Sequence, residues 1–194
     1  ISSLPKSVDG VLIISETNRR YFTSFPSSDG ILLATKNGSV FLTDSRYIEE
    51  AQNVVKCCEV AELRKVSEQL PELCKSFGVK VLMTEGEHLT VNQLKAYRKI
   101  LKGITVTTVG TDDLIDSLRL IKTEEELQSV IKAQRIAEKA FDHILGFIKE
   151  GVTEREIALE LDFFMLRNGA EAISFETIAV SGANSSKPHG VPTD

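Results

Sequence analysis

An α/β fold is predicted by three features of the sequence. Short apolar, β-branched runs alternate with amphipathic segments over residues 1 to 110. Two of those runs are separated by Lys36-Asn37-Gly38-Ser39, and Asn-Gly between such runs is a strong short-range hairpin signal. From Thr123 onward the pattern changes to two long capped helical segments and one further β-branched run, so a second, differently built part begins there.

In chain order, Val11 to Ile14 is a continuous apolar run expected for a strand covered on both faces. Polar residues Ser15 to Arg20 end it, and Tyr21 to Phe25 runs into the turn-rich Pro26-Ser27-Ser28-Asp29-Gly30 as a loop carrying exposed aromatics. Ile31 to Thr35 and Val40 to Thr43 form the hairpin. Ile48 to Val55 carries a helix with Glu49 and Glu50 at its positive end. A short strand is expected at Val60-Ala61, and a helix from Val66 to Phe77 with Leu70, Leu73, Cys74 and Phe77 at helical spacing, kinked or shifted by Pro71 and ended by Gly78. Val79 to Thr84 is a buried strand. Thr90 and Gln93 box the start of a helix whose Leu94, Tyr97, Ile100 and Leu101 share a face, and Ile104 to Val109 is the last strand of this part.

Residues 110 to 123 read as a join. Thr123 and Glu126 then make a capping box, followed by Val130, Ile131, Ala137, Phe141, Ile144, Leu145 and Ile148 at a 3.6-residue period up to Gly151. Glu124, Glu125 and Glu126 point in three directions from one helical turn and read as a cap and a solvated face, not a metal site. Thr153 and Glu156 repeat the box before Ile157, Ala158, Leu161, Phe164 and Met165, with Phe163 to Met165 expected to pack on a sheet.

Composition excludes several roles. A formal charge of −5 with no Lys/Arg block argues against a nucleic-acid partner. No apolar run approaches the roughly 20 residues of a membrane span, and the first residues do not resemble a signal peptide, so a cytoplasmic, membrane-free protein is expected. Cys57, Cys58 and Cys74 form no C-x-x-C and have no adjacent His; reduced thiols are expected. The start at Ile1 and a motif running to Asp194 give the expectation of a fragment.

The most informative stretch is Ser174 to Asp194. Phe175 to Val180 reads as a strand, and Ser181 to Lys187 as loop chemistry. That loop delivers one imidazole, His189, between Pro188, which fixes φ, and Gly190, which lets the backbone turn tightly. Residue types alone favour an ordinary solvated histidine.

The arrangement Ser181-Gly182, Asn184-Ser185 and Pro188-His189-Gly190 after a strand resembles the segment that opens the active site of Xaa-Pro aminopeptidases and prolidases, the pita-bread metallopeptidases related to creatinase. Asn18 to Thr23, Ser28-Asp29-Gly30 and Thr43 to Tyr47 resemble the creatinase-type N-terminal domain that precedes it, with Ser24 where that family commonly has Gly. Arg119, Ile121, Lys122 and Glu126 resemble the R-x-I-K-x-x-x-E that often opens the pita-bread catalytic domain. The resemblance implies a creatinase-type N-terminal mixed-sheet domain over 1–112, a linker over 113–123, and the first part of a pita-bread α+β catalytic domain over 124–194.

It further implies hydrolysis of the bond between an N-terminal residue and proline. Two divalent metal ions (Mn, Co or Zn) would be held by two Asp, one His and two Glu lying beyond Asp194, and none is expected within these residues. The substrate implied is a peptide with proline at its second position, and the assembly a homodimer with Tyr21 to Gly30 near a substrate or an interface. His189 is the one catalytic residue carried over, hydrogen-bonding the substrate beside the metal centre. An imidazole, with an ordinary pKa of about 6.5, suits that duty. The residues 1–194 alone are expected to be inactive. Other readings remain open: a prolidase that splits Xaa-Pro dipeptides, a non-catalytic pita-bread scaffold that binds proteins or peptides, and a metal-free creatine-hydrolysing relative.

Overall fold

The computed structural model describes residues 1–194, which divide into two compact units, Ile1–Ile121 and Lys122–Asp194. The first is a six-stranded mixed sheet with helices on both faces. In chain order it comprises β1 (Gly10–Ile13), α1 (Glu16–Thr23), β2 (Ile31–Thr35), β3 (Gly38–Thr43), α2 (Ile48–Val54), β4 (Glu59–Glu62), α3 (Val66–Ser76), β5 (Val81–Thr84), α4 (Val91–Ile100), β6 (Thr105–Thr107) and α5 (Thr111–Leu120). The strand order is β4-β3-β2-β1-β5-β6, with β1, β2 and β3 antiparallel to their neighbours in that meander and β4, β5 and β6 joined in parallel.

Successive side chains of a strand point to opposite faces, and each apolar run divides accordingly. Leu12, Leu33, Val40, Leu42 and Leu82 pack with Leu70 and Cys74 of α3 and with Leu94 and Tyr97 of α4 on one face. Ile13, Leu32 and Phe41 pack with Ala51 of α2 and Ile115 of α5 on the other. Burying each such leucine completely contributes about 1.5–3 kcal/mol, which is why these strands read as continuous apolar runs.

Two carboxylates pin the ends of the parallel β1–β5 pair. Before β1, Asp9 accepts the backbone N–H groups of Lys80 (2.8 Å) and Val81 (2.9 Å), and these bonds hold its carboxyl below the ordinary range. After β5, Glu85 is 0% exposed. It accepts the N–H of Ile14, the N–H (2.9 Å) and hydroxyl (2.6 Å) of Ser15, and the amide of Asn18 (2.7 Å). Asn18 Oδ1 in turn accepts from Arg119 of α5 at 3.1 Å, and the Tyr21 hydroxyl donates to the Leu118 carbonyl at 3.1 Å.

Several expectations are corrected. Residues 16–23, read as a polar break and loop, are α1: Ser15 caps it by accepting the Asn18 N–H at 3.3 Å, and its polar side chains are satisfied by tertiary partners. Phe25 is buried, edge-on to Phe41 and Tyr47 at ring-centroid distances of 6.2 and 6.3 Å. Most of the stretch 113–123, read as a linker, is α5, because Ile115 closes the second core cluster. The expected hairpin forms, but it turns at Lys36-Asn37, one step before Asn37-Gly38, with Gly38 already in β3 opposite Thr35. A Cβ on Gly38 would lie 2.4 Å from the Phe77 ring, so close packing requires the glycine.

Ser24 ends α1 with φ 56°, the left-handed conformation. Because that conformation costs a residue with a Cβ about 1–2 kcal/mol, part of which glycine returns as unfolded-chain freedom, Ser24→Gly is expected to stabilise the protein by about 0.5–1 kcal/mol in urea unfolding. Glu85→Ala leaves four buried or half-buried donors without their acceptor, and the same measurement is expected to show a loss of about 3 kcal/mol or more.

Candidate functional site

The second unit begins with α6 (Glu124–Phe147) and α7 (Glu154–Arg167), each opened by a two-way capping box, Thr123 with Glu126 and Thr153 with Glu156. Glu126 therefore caps, as its spacing indicated. On α6 the buried residues are Ile136, Ala140 and Ile144. Of the expected face only Ile144 is among them; Val130, Phe141 and Leu145 are exposed, Phe141 by 61%. The 3.6-residue period marks an apolar stripe but not which part of it α7 covers. Between the two helices, His143 Nε2 lies 2.6 Å from Glu160 Oε1, and its ring stacks on Phe164 at 4.2 Å. Phe164 thus packs on a histidine, where a sheet was expected.

Residues 175–180 form no strand, against the expectation. A strand is stabilised by pairing, and residues 122–194 offer no second strand to pair with. The segment is tied to α7 instead, by the Thr177 hydroxyl donating to Asp162 Oδ1 at 2.5 Å.

The loop that follows is built from side chains of α7 upward. A 3₁₀ turn spans Gly182–Ser186. The Gly190 N–H then donates to the Lys187 carbonyl at 3.1 Å, closing a β-turn with Pro188 and His189 at its corners. Proline is pre-set for the first corner, which leaves His189 at the second, exposed to solvent. Gly190 is buried and does not adopt positive φ; a Cβ there would lie 2.9 Å from Val180 Cγ1. Its role is close approach to Val180, and the tight turning comes from Pro188.

Glu154, the first residue of α7, holds both ends of this loop. Its Oε1 accepts the Ser181 N–H (2.5 Å) and hydroxyl (3.2 Å). Its Oε2 accepts the Asn184 amide (2.7 Å) and the N–H and hydroxyl of Thr193 (both 3.0 Å). The Asn184 amide also donates to the Val191 carbonyl at 3.1 Å, and the Arg155 N–H donates to the Thr193 carbonyl at 3.1 Å. Donation by Ser181, then Asn184 and Thr193, pulls the Glu154 carboxyl down to about 2. Sequence reasoning passed over Glu154; the only local signal is a carboxylate at a helix N-terminus.

No group of three or more His, Cys, Asp or Glu side chains is gathered so as to hold a metal ion, and His189 stands apart from His143 and Glu160 in its contacts. The residues present do not fit a metal pair. Cys57, Cys58 and Cys74 are free thiols, with burial pushing Cys58 up to about 12 and Cys74 to about 11. No helix is long and apolar enough to cross a membrane.

Family models match both units: the creatinase/prolidase N-terminal domain over residues 5–121, and metallopeptidase family M24 over residues 128–194. An uncharacterized peptidase of Bacillus subtilis, YqhT, is 38% identical over 96% of this chain and 53% of its own length. Among solved structures, an Xaa-Pro dipeptidase from Bacillus anthracis matches with a TM-score of 0.86 at 36% identity, over 96% of this chain and 52% of that one. An X-Pro aminopeptidase from Thermotoga maritima matches with a TM-score of 0.88 at 29% identity, over 96% and 54%. The chain belongs to the creatinase/prolidase family and spans about half the length of the relatives it matches.

An unfolded glutamate titrates near 4.5 and Glu154 near 2. The folded-state value is depressed, so the loop anchor is fully present above about pH 4.5 and is lost as the pH falls through about 2. The Ser181 and Thr193 amide resonances, followed by NMR, are expected to shift with a midpoint close to 2, and a midpoint at 4.5 would contradict the anchor.

Proposed function

We propose that these residues are the N-terminal portion of a dinuclear metal-dependent Xaa-Pro aminopeptidase, which hydrolyses the bond between an N-terminal residue and proline. The observation that carries this reading is the Ser181–Asp194 loop. Its Ser-Gly-x-Asn-Ser and Pro-His-Gly elements are drawn into one hydrogen-bonded unit that puts His189 at a fixed β-turn corner. Amide hydrolysis needs an activated water, stabilisation of the tetrahedral oxyanion and a proton for the leaving amine. In this reading a pair of divalent ions (Mn, Co or Zn) would supply the first two, held by residues that these 194 do not include. His189 hydrogen-bonds the substrate near the scissile bond, and a turn that holds the imidazole still reduces the ordering left to the moment of reaction.

In this reading the substrate is a peptide with proline second, and the protein is a cytoplasmic homodimer. The unit 1–121 corresponds to the first domain and 122–194 to the start of the second. Support comes from the names of the relatives, from the match to a metallopeptidase family, and from a charge of −5 that suits neither nucleic acid nor an anionic membrane surface.

The full-length protein tests this directly. Release of the N-terminal residue from Xaa-Pro peptides is expected to stop on chelation and return with a divalent ion. His189→Ala is expected to lower kcat by about a hundredfold with bound metal unchanged. Normal turnover by that variant would refute the role of His189, and activity that ignores chelation would favour the metal-free relative.

A further inference from the structure

The loop carrying His189 has a neck, and one side chain closes it. From Ser181 to Thr193 the chain makes a 3₁₀ turn and a β-turn and comes back. At the outgoing side Ser181 and Asn184 donate to Glu154, and at the returning side Thr193 donates to the same carboxylate through both its N–H and its hydroxyl. A single residue on a helix therefore fixes the separation of two points twelve positions apart.

The other ties are weaker or one-sided. Thr177–Asp162 restrains only the approach to the loop. Arg155 and Asp194 pair at 2.9 Å with side chains 58% and 80% exposed, and pairs so open to solvent contribute little. Charge-assisted bonds, about twice as strong as neutral ones, converge only on Glu154. Asn184 couples that anchor to the turn, since its amide donates both to Glu154 and to the Val191 carbonyl, two residues beyond His189.

We propose that Glu154 is the positioning residue for His189: by closing the loop neck it fixes the Lys187–Gly190 turn, and with it the direction in which the imidazole is presented. This rests on reading His189 as substrate-facing. Glu154 touches no reacting atom in this scheme, and its effect on turnover passes entirely through His189. Two independent readouts follow.

The first is structural. In the full-length protein, Glu154→Ala is expected to raise amide exchange at Gly190 by about tenfold or more while the first unit is unaffected. Unchanged exchange would overturn the proposal, whatever His189 does. The second is a double-mutant cycle on the hydrolysis of an Xaa-Pro peptide. Glu154→Ala is expected to lower kcat by about tenfold with KM and metal content nearly unchanged, and to add nothing in a His189→Ala background. Effects that multiply would overturn it. If Glu154→Ala does not fold, Glu154→Gln, which keeps one acceptor oxygen, serves with a smaller loss. If His189→Ala turns over normally, the substrate-facing role falls, and the exchange readout alone decides whether Glu154 sets the turn.

Discussion

A carboxylate buried without solvent, Glu85, determines how the first unit is joined. It stands where the parallel strands β1 and β5 end, and there it collects donors from Ile14, Ser15 and Asn18. An unpaired charge in that position would be heavily penalised, so the start of α1 has to be where it is. Asn18 passes the constraint on to Arg119, and Tyr21 adds its bond to Leu118, so α5 is held by the same helix. The polar motif at Asn18 to Tyr21 is thus a fastening between the strand ends and the last helix of the unit, which accounts for part of the family resemblance in physical terms.

The same device recurs at smaller scale. Asp9 gathers two backbone N–H groups at the opposite end of the β1–β5 pair, and Glu154 gathers two more, with three side-chain donors, at the head of α7. Each is an acceptor-only group set against backbone donors that no strand or helix would otherwise satisfy. In the first unit this fixes topology. In the second it ties together the loop that bears His189.

What could be read from the sequence follows from the range of the forces involved. The strands were legible because burial on both faces leaves continuous apolar runs, and the capped helices because Thr90, Thr123 and Thr153 meet their partners three residues on. Helix α1 was not, since Glu16 to Thr23 has no apolar stripe and its anchor, Glu85, lies 67 to 71 residues away. Glu154 escaped for the same reason, with partners 27 to 39 residues along. The Pro188-His189-Gly190 motif is visible in the sequence, whereas the reason for Gly190 is not: its contact with Val180 is a matter of packing that no local pattern encodes. Residues 175–180 have strand composition, but composition supplies no pairing partner.

The contrast between the two units bears on the order in which the chain acquires structure during synthesis. Domains fold as units as they emerge, N-terminal first. The first unit closes apolar clusters on both faces of its sheet by Ile115, so it can complete its fold once residue 121 has cleared the ribosome. The second leaves Phe141, Leu145, Phe163 and Phe175 outward, the last by 72%. The second unit therefore still has apolar surface to cover when the sheet of the first is already packed on both faces, and the two acquire their cores one after the other.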